Sequence, residues 1–343
     1  MFIPTEVLDQ FALVRSVLHN DVLEIFFEAQ QERANKFKRL FVTSGEACLV
    51  LICLLLILLS WRLSFASLSV SFPLWVDYLA AIIGLIALGL QLLISVSRAH
   101  SKWLYARFVA ELTRQWKYQT FLDGEFVSKL GDSLEQFSKE LGERWVLFKQ
   151  RFRHGLGGMT EFIEESPFEF LVGPSSYVHQ DVFDAAKRAY QLFRLDVQTA
   201  HLADKNVGLR ALDRWTDALA KISLVASGLI AILDACLWGS HAMGWIDIHV
   251  GKNLTVLTAI LAGSSLSFAI ISAGTRVFRS ASAITEERER YRFKELHLRR
   301  VEERLKYEND PVSILALMKE AETICTEELQ EFLRSLSHAN YFL

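Results

Sequence analysis

Two carboxylates stand where carboxylates are costly. Asp77 lies in the first turns of the apolar stretch "LWVDYLAAIIGLIALGLQLLISV", and Asp234 lies near the end of "ALAKISLVASGLIAILDACLW". An ionised group inside hydrocarbon costs about 3 kcal/mol even on lenient scales, so such a residue faces a partner, water or the interface. In an oligomer a ring of these carboxylates attracts cations to a pore mouth. The competing reading is that each one snorkels to the interface or caps a neighbouring helix. Asp234 is the deeper of the two and the stronger pore residue. A third apolar stretch, "AILAGSSLSFAIISAG", sets Ala259, Gly263 and Ser267 at steps of four with Ser264 beside them. Small and hydroxyl side chains in such a line let helices approach closely, or line a wall that water and ions can touch.

Two further patterns could handle charge outside the apolar stretches. In "HSKWLYARFVAELTRQWKYQ", residues Trp103, Arg107, Glu111 and Gln115 share one helical face, with Arg114 alongside and Arg107 placed to pair with Glu111. In "RFRHGLGGMTEF", the cations Arg151 and Arg153 and the imidazole of His154 precede Gly155, Gly157 and Gly158. Cations beside free backbone amides can cradle a phosphate; an ordinary glycine turn beside a basic pair is the other reading. Neither a nucleophile elbow, an HExxH pair nor a phosphate loop occurs, and Cys48, Cys53, Cys236 and Cys325 lack metal-ligand or redox spacing. The expectation is therefore a protein that is not an enzyme and holds no metal and no cofactor.

Positioning these residues requires a membrane. The 343 residues carry a net charge of only -3 with 51% apolar side chains, which does not suit a nucleic-acid-coating protein or a disordered tail. The apolar residues concentrate in four runs of about 20 residues, the length that crosses a bilayer: roughly 42–61, 74–96, 218–238 and 254–276. Short connectors join them as two hairpins. Arg and Lys crowd the other flanks, as in "KFKRL", so the positive-inside rule places both termini and the middle region in the cytoplasm. The expected fold is all-α, a polytopic helical membrane protein with four transmembrane helices in two hairpins and long cytoplasmic helical extensions. Its segments are cytoplasmic N-terminal helices 1–41, a first hairpin with its trailing helix 42–121, and a cytoplasmic insert 122–194. A second hairpin with its trailing helix 195–307 and a C-terminal helix 308–343 complete the chain. Each hairpin is approached by a polar helix and followed by a long one, which makes the two a weak parallel repeat. Span one, Leu and Ile almost all round, is expected to face lipid. With no Gly or Pro after span two, that helix is expected to run on through Trp103 as one rigid rod able to carry motion.

The hairpin followed by Trp103, Arg107, Glu111 and Arg114 resembles the SLATT family, two-span membrane effectors found with nucleotide-generating enzymes and nucleotide sensors in bacterial conflict systems. The resemblance covers about residues 20–121 and, more loosely, 195–307, where Tyr291, Arg292, Glu295 and Arg299 echo the motif without its Trp. The four-span arrangement is also similar to the channel-type effectors of Hailong defence. The resemblance implies an anti-phage effector of the bacterial inner membrane. It would be a homo-oligomer, with a tetramer favoured, whose gated pore depolarises the cell when a nucleotide or oligonucleotide signal changes. Its partners would be the lipid bilayer, a nucleotidyltransferase or other nucleotide-signalling enzyme, and that ligand. The alternative is a membrane-anchored sensor or scaffold that recruits another effector and has no pore.

Overall fold

A computed structural model describes residues 9–66, 73–150, 176–243 and 251–337. Ten principal helices order the chain: α1 Asp21–Ala66, α2 Leu74–Ser97, α3 Ala99–Gln119, α4 Gly124–Asp132, α5 Leu134–Gln150, α6 Gln180–Tyr190, α7 Val197–Ala242, α8 Gly251–Ala281, α9 Ile284–Tyr307 and α10 Pro311–Ser337. Local chemistry sets their ends. Asn20 accepts from the Leu23 amide at 3.2 Å to cap α1, and Asp123 caps α4 through the Phe126 amide at 3.1 Å. Pro311 stands at the first position of α10, where its missing N–H costs nothing, and Asp310 accepts from the Ser313 amide at 2.9 Å. The Asn309-Asp310-Pro311 break is thus a helix start.

The protein is all-α, and four of its helices are long and apolar enough to cross a membrane. They carry the four stretches read from the sequence. The expected rod after span two is not continuous: Arg98 adopts φ 49, ψ 37 and ends α2 in a left-handed turn. A left-handed residue with a Cβ is disfavoured by about 1 kcal/mol, and no Gly or Pro marks it in the sequence. Ala283, with φ 46, separates α8 from α9 in the same way. The unbroken helices are the leading ones, α1 and α7, each of 46 residues. Both hairpins therefore have a continuous helix leading in and a left-handed joint leading out. Before α7 the chain passes through one turn of π-helix, Gln191–Asp196, which no local pattern announces.

The chain divides into two compact units. Unit one gathers three separated segments, Met1–Lys38, His100–Leu209 and Glu286–His338; unit two gathers Arg39–Ala99 and Arg210–Thr285.

Unit two holds the apolar stretches, and the contacts of its second hairpin repeat every seven residues on both helices, the step that keeps two helices in register. Along the second hairpin Arg279 donates to Asp213 at 2.7 Å, Ser272 to the Ala220 carbonyl at 2.8 Å, and Ser265 to the Ser227 carbonyl at 3.0 Å. Along the first, Arg62 pairs with Asp77 at 3.1 Å, a Cβ at Gly84 would touch Leu55 at 3.7 Å, and the Cys48 thiol donates to the Ala87 carbonyl at 3.6 Å. Span one does not face lipid all round. Trp61 donates to Ser267 at 3.0 Å, its ring lies 3.2 Å from where a Gly263 Cβ would stand, and Cys53 lies 2.5 Å from where a Gly274 Cβ would stand. The two glycines open span four to span one, so bulk on one helix meets absence on the other.

Unit one has a conventional apolar core. Phe121, Phe126, Phe137, Tyr190 and Leu298 are fully buried in it, and Ile314, Leu317 and Met318 close it from α10. The described part of the 122–194 segment supplies much of that core through α4, α5 and α6. One buried ion pair crosses it: Arg194 holds Glu322 with two bonds, 2.7 and 2.8 Å, and the Tyr190 hydroxyl donates to the same carboxylate at 2.8 Å. Those bonds supply what a buried charge needs once its water is gone.

Candidate functional site

The polar face of α3 turns into unit one. Arg107 and Arg114 both hold Glu111, and Arg107 also donates to the Gln31 side chain on α1 at 3.3 Å. Burial pushes the Glu111 carboxyl upward. The guanidiniums of Arg107 and Arg114, with Lys294 and Arg194 behind them, outweigh that push and hold its pKa at about 2. Across from it, Lys294 on α9 donates to Glu328 on α10 at 2.8 Å, Arg290 approaches the same carboxylate at 3.2 Å, and the Tyr291 hydroxyl donates to Glu287 at 2.8 Å.

These groups line a cavity of about 320 Å³. Its walls carry five cations, Lys38, Arg107, Arg114, Lys205 and Lys294, against three carboxylates, Glu111, Glu287 and Glu328. Each carboxylate already has a partner. Lys38 rests over the Trp103 ring at 5.7 Å, and among the described residues neither it nor Lys205 makes a hydrogen bond or an ion pair. Burial lowers the pKa of the Lys38 ammonium; Arg107 and Lys205 lower it further, and Glu287 opposes them. His201 is shifted down as well, first by burial and then by Lys205, Arg114 and Arg107, against Glu111. An anion placed here would offset the mutual repulsion of these cations.

A second cavity, of about 360 Å³, adjoins the first and shares Gln31, Arg114, Gln198 and His201 with it. Its remaining lining joins the apolar and aromatic Leu23, Phe27, Tyr118, Phe193 and Val197 to Thr113, Arg194 and the Lys117–Glu24 ion pair of 3.3 Å. The Arg114 guanidinium lies 5.2 Å from the Phe27 ring centre, and that of Arg194 lies 5.0 Å from Tyr118. One compartment is therefore net cationic, the other carries an aromatic surface beside already paired charges, and Gln31, Arg114, Gln198 and His201 stand between them.

Comparison with family models, with curated proteins and with solved structures finds no match. The residues themselves must carry the functional reading.

Trp103, Arg107 and Glu111, selected by helical spacing, line the charged cavity with Arg114, which the resemblance added; Gln115, the fourth residue of that spacing, is buried and accepts from the Thr326 hydroxyl at 3.3 Å. Arg151, Arg153 and His154 lie outside the described residues. In unit two, Asp77 is engaged by Arg62, and Ser267 is engaged by Trp61 while donating to the Gly263 carbonyl at 2.7 Å. Ser264 is half-buried. Asp234 differs from the other two: one of its carboxylate oxygens is shielded from solvent and has no hydrogen-bond partner among the described residues. The seven-residue step that joins Asp213 to Arg279 and Ser227 to Ser265 next reaches Asp234 on α7 and Thr258 on α8. Sequence reasoning missed Lys38, Lys205, Gln198 and His201. The signal was present in "KFKRL" and "HLADK", but Lys38 was read as a positive flank of a span and Lys205 as part of a polar helix leading to one.

Proposed function

We propose that this chain is a bacterial inner-membrane effector of anti-phage defence, an oligomeric gated ion pore controlled by a nucleotide signal that a partner enzyme makes or removes. Both termini and unit one lie in the cytoplasm, and the two hairpins of unit two cross the bilayer. The observation that carries the reading is the net cationic cavity lined by Trp103, Arg107, Glu111 and Arg114, where Lys38 and Lys205 stand without an acceptor among the described residues; a cavity that concentrates cations in this way suits an anionic ligand. Two helices extend the argument: α1 supplies Gln31 and Lys38 to that cavity and Trp61 to the spans, and α7 supplies Gln198 and Lys205 to the cavity and Asp234 to the spans. A ligand that shifts either helix acts directly on a span.

The test is membrane potential, followed by a voltage-sensitive dye in bacteria expressing the chain alone, with its genomic neighbour, and under phage challenge. Depolarisation that is lost in Asp234→Asn while the protein still reaches the membrane supports the pore. An unchanged potential in every condition rejects it. One observation favours the second reading, a membrane-anchored scaffold without a pore: Asp77 and Ser267 are both taken up in helix packing. Under that reading Asp234→Asn alters stability and nothing else.

A further inference from the structure

We propose that the two adjoining cavities of unit one are a single bipartite site for a nucleoside phosphate, with the phosphate against Lys38 and Lys205 and the base in the aromatic compartment. This rests on the reading that the protein senses a nucleotide, and it assigns each part of that ligand to a wall.

Three observations converge. First, the compartments share a partition, Gln31, Arg114, Gln198 and His201, so one molecule can occupy both. Second, the charged side has unspent donors: its carboxylates are satisfied, Lys38 and Lys205 are not, and both are solvent-reachable on neighbouring helices. Two ammonium groups without acceptors are a point-charge match for phosphate oxygens. Third, the other side offers Phe27, Tyr118 and Phe193 as aromatic surface, which suits a planar ring and gives nothing to a bare inorganic anion. Gln198, with one acceptor and two donors free among the described residues, and the imidazole of His201 stand at the partition, where the edge of a base or a ribose would pass. Compartments of about 360 and 320 Å³ are each of small-molecule size, so the recognised unit is one nucleotide.

The test is equilibrium dialysis of the purified full chain in detergent against radiolabelled ATP, GTP, CTP and UTP, with unlabelled tripolyphosphate as competitor. At least one nucleotide is expected to bind saturably. The Lys38→Ala/Lys205→Ala double variant is expected to weaken it at least tenfold, and tripolyphosphate to compete at least tenfold less well than the nucleotide itself. Lys205 has no hydrogen bond or ion pair to lose among the described residues and Lys38 loses only its contact with the Trp103 ring, so the double variant should unfold close to the wild-type temperature. Gln198→Trp, which fills the partition, provides a second block. Absence of binding by all four nucleotides, wild-type binding in both variants, or tripolyphosphate competing as well as nucleotide overturns the proposal. Binding is read without any current. A protein that binds nucleotide and passes no ions leaves this site standing and removes the pore; one that depolarises cells and binds no nucleotide does the reverse.

Discussion

Replacing Glu111 by Gln removes one negative charge from between two guanidiniums and keeps the side chain's shape. The magnitude follows from linkage. A carboxyl held at about 2 instead of its ordinary 4.5 contributes roughly 3 kcal/mol of stability at neutral pH, at about 1.4 kcal/mol per pKa unit. Because the folded pKa is the depressed one, that contribution is fully present above pH 4.5 and disappears as pH falls toward 2. Urea unfolding of the full chain in detergent, followed through the fluorescence of Trp103, Trp116 and Trp145 around this part of the fold, measures it. The wild type should exceed Glu111→Gln by about 3 kcal/mol at pH 7 and pH 5. The gap should narrow at pH 4 and again at pH 3. Glu140→Gln, which breaks the Lys129–Glu140 contact of 2.7 Å near the surface, serves as the control and should change stability little at any pH. A gap under about 1 kcal/mol at pH 7, or one that stays constant from pH 7 to pH 3, would refute the claim that Arg107 and Arg114 hold this carboxylate.

Three other outcomes follow from the same geometry. Gly274→Ala places a methyl 2.5 Å from the Cys53 sulfur and should destabilise the span packing by about 1–3 kcal/mol; adding Cys53→Ala should restore much of the loss in thermal unfolding. Arg98→Gly should be neutral or slightly stabilising, whereas Arg98→Val should lower the unfolding temperature, because a β-branched residue tolerates φ 49 poorly. Nucleotide binding should tighten as pH falls from 7.5 to 5.5. Burial and then Lys205, Arg114 and Arg107 lower the His201 pKa, a bound phosphate opposes that repulsion, Glu111 stays ionised throughout, and a protonated imidazole adds a donor; His201→Ala should flatten the profile in the same dialysis assay.

Much of unit two is legible in the residues. A run such as "ACLVLICLLLILLSW" has one helical outcome at that length, and Pro73 and Pro311 mark starts with a stated mechanism. The spacing of Arg107 and Glu111 is local, so their pairing could be read directly. Three things could not. The left-handed joint at Arg98 involves a residue type with no preference for it, so nothing local announces it. The relation of span one to span four pairs Trp61 with Gly263 and Ser267 across some 200 positions, and hydropathy records only that both helices are apolar. The cavity draws on α1, α3, α7, α9 and α10, so its lysines looked like ordinary membrane-flanking charge until those helices were brought together. Residues chosen for one-helix periodicity were found; residues whose role depends on a distant segment were not.

The three-segment composition of unit one has a consequence for synthesis. Segments Met1–Lys38 and His100–Leu209 leave the ribosome on either side of the first hairpin, but Leu298, Val301 and Leu305, with Ile314 and Met318, are made only after the second hairpin. Lys294 and Glu328 on the cavity wall arrive equally late. A nascent or prematurely terminated chain therefore carries one or both hairpins while lacking the segment that completes the core of unit one. Translation order places both apolar hairpins ahead of the residues that complete unit one, so the folding of that unit waits on segment Glu286–His338 however early its first two segments are made.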